Sequence, residues 1–429
     1  MNAVETCKQV KTVVQLLKQY SMGERSFSQS ILNGADLRQH DLENIVLSNS
    51  TLLNINLEKA NLSGADFSSS EMLLANLNFA TLNRANLSCA VLVEANLASA
   101  VLNGCQLEQA QLEQATLANA CLENVRLQDA NLQRSNLENC NLSGSILDRS
   151  DLRKANLDGA VLDGASLIGA EMKRASLCNT SCKRVNLSQA HLRKADLEGA
   201  TFEDASFEEA NLVGVDFTEV NLERVNFQQA TMLGADLEGK QLERTNFSGA
   251  LLSFADVSKC RLRAANFEQA DMRGINLLES DLARATLDRT ILWGANLGQT
   301  DLKGTTFKNA DLKGATLGRS DISNGDFSHS IAIRANFRGV RGIQACLSDV
   351  DLERVDLREA YLAKSNLSGA NLSYADLRQT NLSYCNLRGA NLGNTYLGQT
   401  TLSGASYDRH TQFTDGFDPI SAGMIGMDE

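Results

Sequence analysis

The sequence predicts an all-β solenoid, in which short extended segments alternate with tight corners as the chain coils. A large apolar residue recurs every five residues from Phe27 to Tyr407, mostly Leu and otherwise mainly Phe. The residue two positions earlier is small, most often Ala. The frame never shifts between these two ends, so we expect no long loop to interrupt the repeat.

A period of five is neither the 3.6 of a helix nor the simple period of two of a strand. Because side chains alternate along an extended segment, the small and the large residue point inward and the residue between them points outward. The other two residues are often polar or Gly, as in Ser63-Gly64 and Glu198-Gly199, and must turn the chain. Stacked coils then share backbone hydrogen bonds at a spacing of about 4.8 Å.

Residues 1–24 precede the repeat and have a different pattern. Val10, Val13, Val14 and Leu17 have the i, i+3, i+4, i+7 spacing that predicts an amphipathic helix over residues 3–20. The end of a solenoid exposes unpaired backbone and apolar side chains, so the helix is interpreted as an N-terminal cap. A helix for dimerisation or partner docking is the alternative.

Units such as Ala195-Asp196-Leu197-Glu198-Gly199 and Ala390-Asn391-Leu392-Gly393-Asn394 resemble the A(D/N)LXX unit of pentapeptide repeat proteins, a family especially numerous in cyanobacteria. The resemblance implies a right-handed quadrilateral β-helix with four pentapeptides, or twenty residues, in each coil. It would cover residues 25–407 in about 19 coils. Residues 408–429 are predicted to be an irregular cap or tail, with Phe413 or Phe417 over the last coil.

Two irregularities interrupt the inward pattern. Lys240 takes the place of a small inward residue, which predicts either a bulged corner that lets the ammonium reach solvent or a functional kink. Gly325, Ala332 and Gly342 reduce the apolar volume between Asp321 and Val350. We therefore expect that segment to be loosened, and the sequence leaves open whether it is bent.

Composition bounds the function. The formal net charge of −12 argues against direct binding to nucleic acid, and no apolar run is long enough to span a membrane. The N-terminus carries Lys8, Lys11 and Lys18 where an export signal would be apolar. Ten Cys without paired metal spacing suit a reducing compartment, so a cytoplasmic location is expected.

No catalytic arrangement is evident. The four His residues (His40, His191, His329 and His410) have neither triad nor metal-ligand spacing, and no phosphate-binding loop is present. We therefore predict a protein that is not an enzyme and uses no cofactor or metal.

The candidate site is a surface for a protein partner. Residues twenty apart should stack, and this spacing joins basic residues of successive coils into one series, with exposed aromatic residues further along the same face. The candidate residues are Arg134, Arg153, Lys154, Lys173, Arg174, Arg193, Lys194, Phe254, Trp293 and Tyr374. Aromatic and basic residues are enriched at interaction hot spots, although outward positions of a repeat also vary freely.

The leading hypothesis is a non-enzymatic, rigid scaffold for protein–protein interaction, with a possible regulatory role. The alternative is a DNA mimic that binds DNA gyrase and modulates quinolone sensitivity, as the resemblance implies for some family members. Its acidic charge favours mimicry, whereas the basic series, the unbroken register and a tail without a helix oppose it. The sequence leaves the partner's identity open and is consistent with a monomer or a weak dimer.

Overall fold

The computed structural model of the chain describes residues 9–427. Within it the chain forms two compact units, Met1–Asn221 and Leu222–Glu429. The division falls inside the predicted repeat region rather than at either of its ends. Each unit is a stack of twenty-residue coils, confirming an all-β repeat fold.

The coils of the first unit are joined by one-residue parallel bridges between residues twenty apart, from Ser26↔Val46 to Thr201↔Asn221. Four bridges and four corners make up each coil, so the coil is four-sided. The large residue of each pentapeptide and the small residue two before it are buried, as predicted. Bridges rather than longer strands form, because each extended segment is only three residues long.

The unit around Leu132 illustrates the backbone hydrogen bonds of one pentapeptide. The Leu132 N–H donates to the Asp151 carbonyl in the next coil at 2.7 Å, and the Asn131 N–H donates to the Ala110 carbonyl in the previous coil at 2.9 Å. The Ser135 N–H closes the corner on the Leu132 carbonyl at 3.1 Å. The same bonds recur in every coil and join it to the coil before and the coil after, so each coil is the template for the next.

The second residue of almost every corner has a positive φ. Arg134 (φ 56°) and Gly159 (φ 67°) occupy this position in successive coils. A positive φ at the third residue of a turn is the signature of a type II β-turn and explains why Gly is common there. Most corners nevertheless place a non-glycine residue in this region, which costs of order 1 kcal/mol each.

Helix α1 spans Val13–Ser21, nine residues. It begins at Thr12, whose side chain accepts from the Gln15 N–H and caps the helix. Residues 9–12, predicted to be helical, are not, because Val10 is already bonded to the first coil through the Ser30 hydroxyl and the Ile31 N–H. Residues 3–8 of the predicted helix lie outside the described residues.

The face of α1 that is buried also differs from the predicted one. Leu16 is buried, whereas Val14 is 78% exposed. The reason is the short helix: Val10 contacts the core from an extended segment and does not contribute to a helical face. Between residues 9 and 427, no helix is both long enough and apolar enough to cross a membrane.

The second unit repeats the same coil, with bridges from Asn226↔Asn246 onward. The core is not thinned between Asp321 and Val350, contrary to the expectation. A Cβ on Gly342 would lie 2.7 Å from Leu362 Cδ2 and 2.8 Å from Ile322 Cγ1, so the neighbouring coils fill the space. Asp321 and Arg341 pair in the regular twenty-residue register. The structure therefore gives no reason to expect a loosened segment.

Lys240 does not bulge the corner. The turn bond from its N–H to the Leu237 carbonyl is intact at 3.1 Å, and Gln241 pairs with Arg261 in register. The side chain is half-buried. A regular backbone with a partly exposed Lys therefore replaces the predicted bulge.

The C-terminal segment continues the coil instead of forming an irregular tail. Strand β1 (Ser406–Tyr407) pairs in parallel with strand β2 (Ile425–Gly426). The register changes first to 21 residues, at Asn391↔Gln412, and then to 19 at Ser406↔Ile425. This change hid the pairing from a strict five-residue pattern.

The aromatic residues of this segment pack together. Phe413 contacts the ring of Tyr407 edge-on at 5.6 Å and stacks on Phe417 at 5.2 Å. Asp408 Oδ1 accepts from the backbone N–H of Gly389, which binds the segment to the preceding coil. These contacts place both Phe residues against the end of the coil.

Candidate functional site on one exposed corner

The basic residues of the first unit form a true series on one corner, here called the basic ladder. Its members are Arg134, Arg153, Lys154, Lys173, Arg174, Arg193 and Lys194, and all are exposed. Their backbones are bonded directly: the N–H of Arg134 donates to the Arg153 carbonyl at 3.1 Å, and that of Lys154 to the Lys173 carbonyl at 3.2 Å. Residues about twenty apart therefore stack on one another at this corner, as the sequence predicts.

Stacking of coils places like charges about 4.8 Å apart along the corner. Arg153 is partly neutralised, because its guanidinium binds both carboxylate oxygens of Asp151, with Nη2 2.5 Å from Oδ2. None of the other six cations makes an ion pair with any residue between 9 and 427. Six unneutralised cations on four successive coils form a compact positive surface on an acidic chain.

The aromatic candidates lie in the second unit, at the corner with the same position in the coil. Phe254 is 76% exposed, and its ring lies over Gly274, where an added Cβ would be 2.8 Å from the ring. Trp293 is 46% exposed, with the Lys313 ammonium 5.6 Å from its ring centroid. Both rings are therefore held in place by the next coil.

Tyr374 occupies the same corner further along the second unit. The Arg354 guanidinium lies 5.4 Å from its ring centroid, within reach of a cation–π contact. Tyr374 is separated from Trp293 by several coils, so the three aromatic residues do not form one contiguous patch. The structure thus separates the candidate residues into a basic ladder and isolated aromatic residues.

Two apolar side chains near Phe254 and Trp293 were not predicted. Leu251 and Ile291 are 40% and 37% exposed on the side that leads into this corner. Both occupy the outward position that is usually Asn or Asp. An apolar residue at that position was the sequence signal that could have identified them. Together with Leu233 they extend the apolar surface of the second unit.

No feature for catalysis or metal binding is found at either corner. Among residues 9–427 no group of three or more His, Cys, Asp or Glu side chains could hold a metal ion. All nine described Cys residues are free thiols.

Parallel twenty-residue coils with a small and a large buried residue per pentapeptide define a β-solenoid repeat protein. Models of pentapeptide repeats match residues 41–72, 75–218 in overlapping copies, 280–383 likewise, and 385–406, and a model of a pentapeptide repeat region matches residues 220–297. These matches cover most of the chain, which therefore belongs to the pentapeptide repeat family.

Similar solved structures include proteins of this family. HetL, a pentapeptide repeat protein involved in heterocyst differentiation regulation from the cyanobacterium Nostoc sp. strain PCC 7120, is 26% identical, with 60% of this chain and 97% of HetL covered and a TM-score of 0.34. A pentapeptide repeat protein (Rfr23) from the cyanobacterium Cyanothece 51142 is 33% identical over 23% of this chain and 63% of its own, with a TM-score of 0.17.

A third similar structure is QnrB1, a plasmid-mediated fluoroquinolone resistance protein. It is 20% identical, with 46% of this chain and 92% of QnrB1 covered and a TM-score of 0.18. A search of curated proteins gives no match.

Proposed function

We propose that the chain is a non-enzymatic scaffold whose basic ladder binds an acidic surface of a protein partner. The six ladder cations without intramolecular ion pairs carry this proposal. Buried or paired cations would contribute little to a new contact, whereas exposed cations on a regular backbone keep their charge available at fixed spacing. Membership of the family supports a scaffold, since its repeats supply regular surface.

The fold details implied by the family are part of the same proposal. They are a right-handed coil, about 19 coils in all and α1 as a cap on the first coil. A cytoplasmic location is also proposed, supported by free thiols at all nine described Cys positions.

The test is affinity capture with a variant whose ladder loses six of its seven cations. In that variant Arg153, Lys154, Lys173, Arg174, Arg193 and Lys194 are replaced by Gln. The matched control replaces six cations on other parts of the first unit by Gln: Lys59, Arg84, Arg126, Arg149, Lys183 and Arg184. Both variants lose six positive charges, so a difference between them reports position rather than net charge.

We expect a partner that is captured by the wild type and by the control but lost from the ladder variant. Identical captured proteins from the wild type and the ladder variant would reject the ladder as the binding surface.

The DNA-mimic alternative predicts an effect on DNA gyrase. Six unpaired cations on one corner oppose an acidic mimic, because they would repel the positive surface that normally holds duplex DNA. We expect no change in gyrase supercoiling when the protein is added at micromolar concentration. Inhibition of supercoiling, or protection from a quinolone, would favour mimicry instead.

A further inference from the structure

The side of the first unit that follows the basic ladder is narrow and carries short polar residues. Asn136, Asn156, Ser176 and Asp196 stack along it through parallel bridges. Their side chains are short, and that of Asn136 folds back to accept the Glu138 N–H at 3.0 Å. This side, here called the asparagine side, therefore offers a low surface between two corners.

The corner on the other edge of the asparagine side is acidic. Glu138, Glu198 and Glu219 are exposed there, and none of the three makes an ion pair with a residue between 9 and 427. Asp158 lies on the same edge, where its Oδ1 accepts from the Ser176 hydroxyl and the Cys178 N–H. We call Glu138, Asp158, Glu198 and Glu219 the acidic edge.

The basic ladder and the acidic edge share three levels of the stack. Arg134 and Glu138 belong to one coil, Lys154 and Asp158 to the next, and Lys194 and Glu198 to the coil two levels further. The level between the last two carries Lys173 and Arg174 on the ladder but no acid on the edge, and Glu219 lies one level above Lys194. Positive charge thus runs up one edge of the asparagine side, and negative charge runs up the other. Such a side is complementary to itself.

We propose that the acidic partner of the basic ladder is a second copy of this chain, packed through the asparagine side with its coils parallel to the first. A two-fold axis parallel to the coil axis exchanges the two edges of the side while keeping every level. The basic ladder of each copy then faces the acidic edge of the other, which is an isologous contact. This inference rests on the proposed function and names its partner.

The common rise of the two copies makes the match cumulative. Because both stacks advance by about 4.8 Å per coil, a charge pair aligned at one level is aligned at each level that carries both charges. A partner of different geometry would lose register within a few coils.

A groove at the upper end of the side provides a specific contact. It has a volume of about 460 Å³ and is lined by Asp196, Glu198, Gly214 and Glu219, among others. In the parallel arrangement it faces Arg193 and Lys194 of the partner subunit. Carboxylates at the rim make it suitable for the head of a long cationic side chain.

The net charge of −12 opposes association at long range. At an ionic strength of about 0.15 M the Debye length is only about 8 Å, so this repulsion is screened more than the short contacts between the edges. At about 1 M the Debye length falls to about 3 Å and the edge contacts also weaken. The dimer should therefore be present at moderate salt and dissociate at high salt.

Sedimentation velocity of the full chain, at about 1 to 100 µM protein, tests the proposal through charge reversal. Here the ladder variant is a charge reversal, distinct from the Gln variant above, and carries Arg153→Glu, Lys173→Glu and Arg193→Glu. The edge variant carries Glu138→Lys, Glu198→Lys and Glu219→Lys, three exposed residues that take part in the corner hydrogen bonds only through their backbone. The control carries Arg84→Glu, Lys183→Glu and Arg184→Glu, at a corner remote from the asparagine side. Circular dichroism verifies that each variant is folded.

We expect wild type and control to dimerise, and each reversal to raise the dissociation constant by at least about tenfold. An equimolar mixture of the ladder and edge variants should form a heterodimer, because each contact again joins opposite charges. A monomeric wild type throughout the range overturns the proposal, as does a dimer unchanged by either reversal or a mixture that stays monomeric. If a foreign protein is captured through the ladder while the wild type stays monomeric, the scaffold proposal stands and the second copy is rejected.

Discussion

The Asn131 side chain accepts a hydrogen bond through Oδ1 from the backbone N–H of Gln133 at 3.1 Å. The same bond joins Asn141 to the Ser143 N–H. The first corner residue has no backbone acceptor in the coil scheme, and the preceding Asn or Asp supplies one. The polar residue of the A(D/N)LXX unit therefore caps the corner.

Removing this cap should destabilise the coil. We expect Asn131→Ala to lower the free energy of unfolding by about 1 kcal/mol, because the Gln133 N–H loses its protein acceptor. Urea unfolding followed by circular dichroism measures the change in midpoint. Val91→Ala is the matched control, since Val91 occupies the same outward position and its side chain caps no corner. Equal shifts for the two variants would contradict the capping role.

Gly342 should tolerate no side chain. A Cβ there would lie 2.7 Å from Leu362 Cδ2, and overpacking of this kind costs about 1–3 kcal/mol. We expect Gly342→Ala to lower the urea midpoint clearly. Gly318→Ala is the control, because its Cβ would meet only the Arg338 carbonyl oxygen at 3.6 Å.

A double-mutant cycle tests the cause. Leu362→Ala removes the atoms that the new methyl group meets, so Gly342→Ala should cost less in that background than in the wild type. Additive effects would show that the clash with Leu362 is not the origin of the loss.

Thiol reactivity should separate buried from exposed Cys residues. Burial raises the pKa of five thiols to about 12, which leaves almost no thiolate at neutral pH. These are Cys105, Cys140, Cys182, Cys260 and Cys385. We expect a thiol reagent to label Cys89 and Cys121 rapidly in the native protein, as located by peptide mass spectrometry. Rapid native labelling of any of the five would contradict the structure.

Stability should fall in acid as paired carboxylates become protonated. Arg378 hydrogen-bonds Asp376, with Nη2 2.6 Å from Oδ2, and holds the pKa of this carboxyl below its usual range. Because the folded pKa is the lower one, the stabilisation is complete above the unfolded value of about 3.9 and is lost as the pH falls through the folded pKa.

The Asp376→Asn variant isolates this contribution, since the amide oxygen can still accept the Arg378 N–H. The pair is partly exposed, so we expect the variant to be less stable by roughly 0.2–1 kcal/mol near neutral pH. The difference should shrink as the pH falls through the folded pKa of Asp376, because protonation removes the charge that distinguishes the two proteins. A difference independent of pH would show that the carboxylate charge is not involved.

The repeat could be predicted because it depends on local alternation. Leu132 and Ser135 are inward in the structure, as the pattern required, and the corner after Leu132 lies where the two polar residues stand. The stacking of Arg134 on Arg153 was also predictable once twenty residues per coil were assumed. The ion pair between Arg153 and Asp151 was not predicted, although the two residues are only two apart in the chain. The direction of a side chain at a corner depends on the φ of the corner residues, which the five-residue pattern does not give.

The prediction of α1 failed where tertiary contacts compete with helical periodicity. Val10 fits the apolar face of a helix by spacing, but its N–H donates to the Ser30 hydroxyl at 3.0 Å and it remains extended. The C-terminal pairing of Ser406 with Ile425 was equally hidden, because a 19-residue register breaks the period. In both segments long-range backbone pairing replaces the local signal.

The sequence by itself determined the coil, since inward and outward positions follow from strand alternation and the corners follow from the two remaining residues. Only the tertiary structure decided how neighbouring coils complete one another. The space at Gly342 is filled by Ile322 and Leu362 from the coils on either side. The basic ladder and the acidic edge lie on opposite edges of the asparagine side. Both relationships join residues twenty or more apart in the chain, and their physical basis is packing and charge between coils rather than the preference of any single pentapeptide.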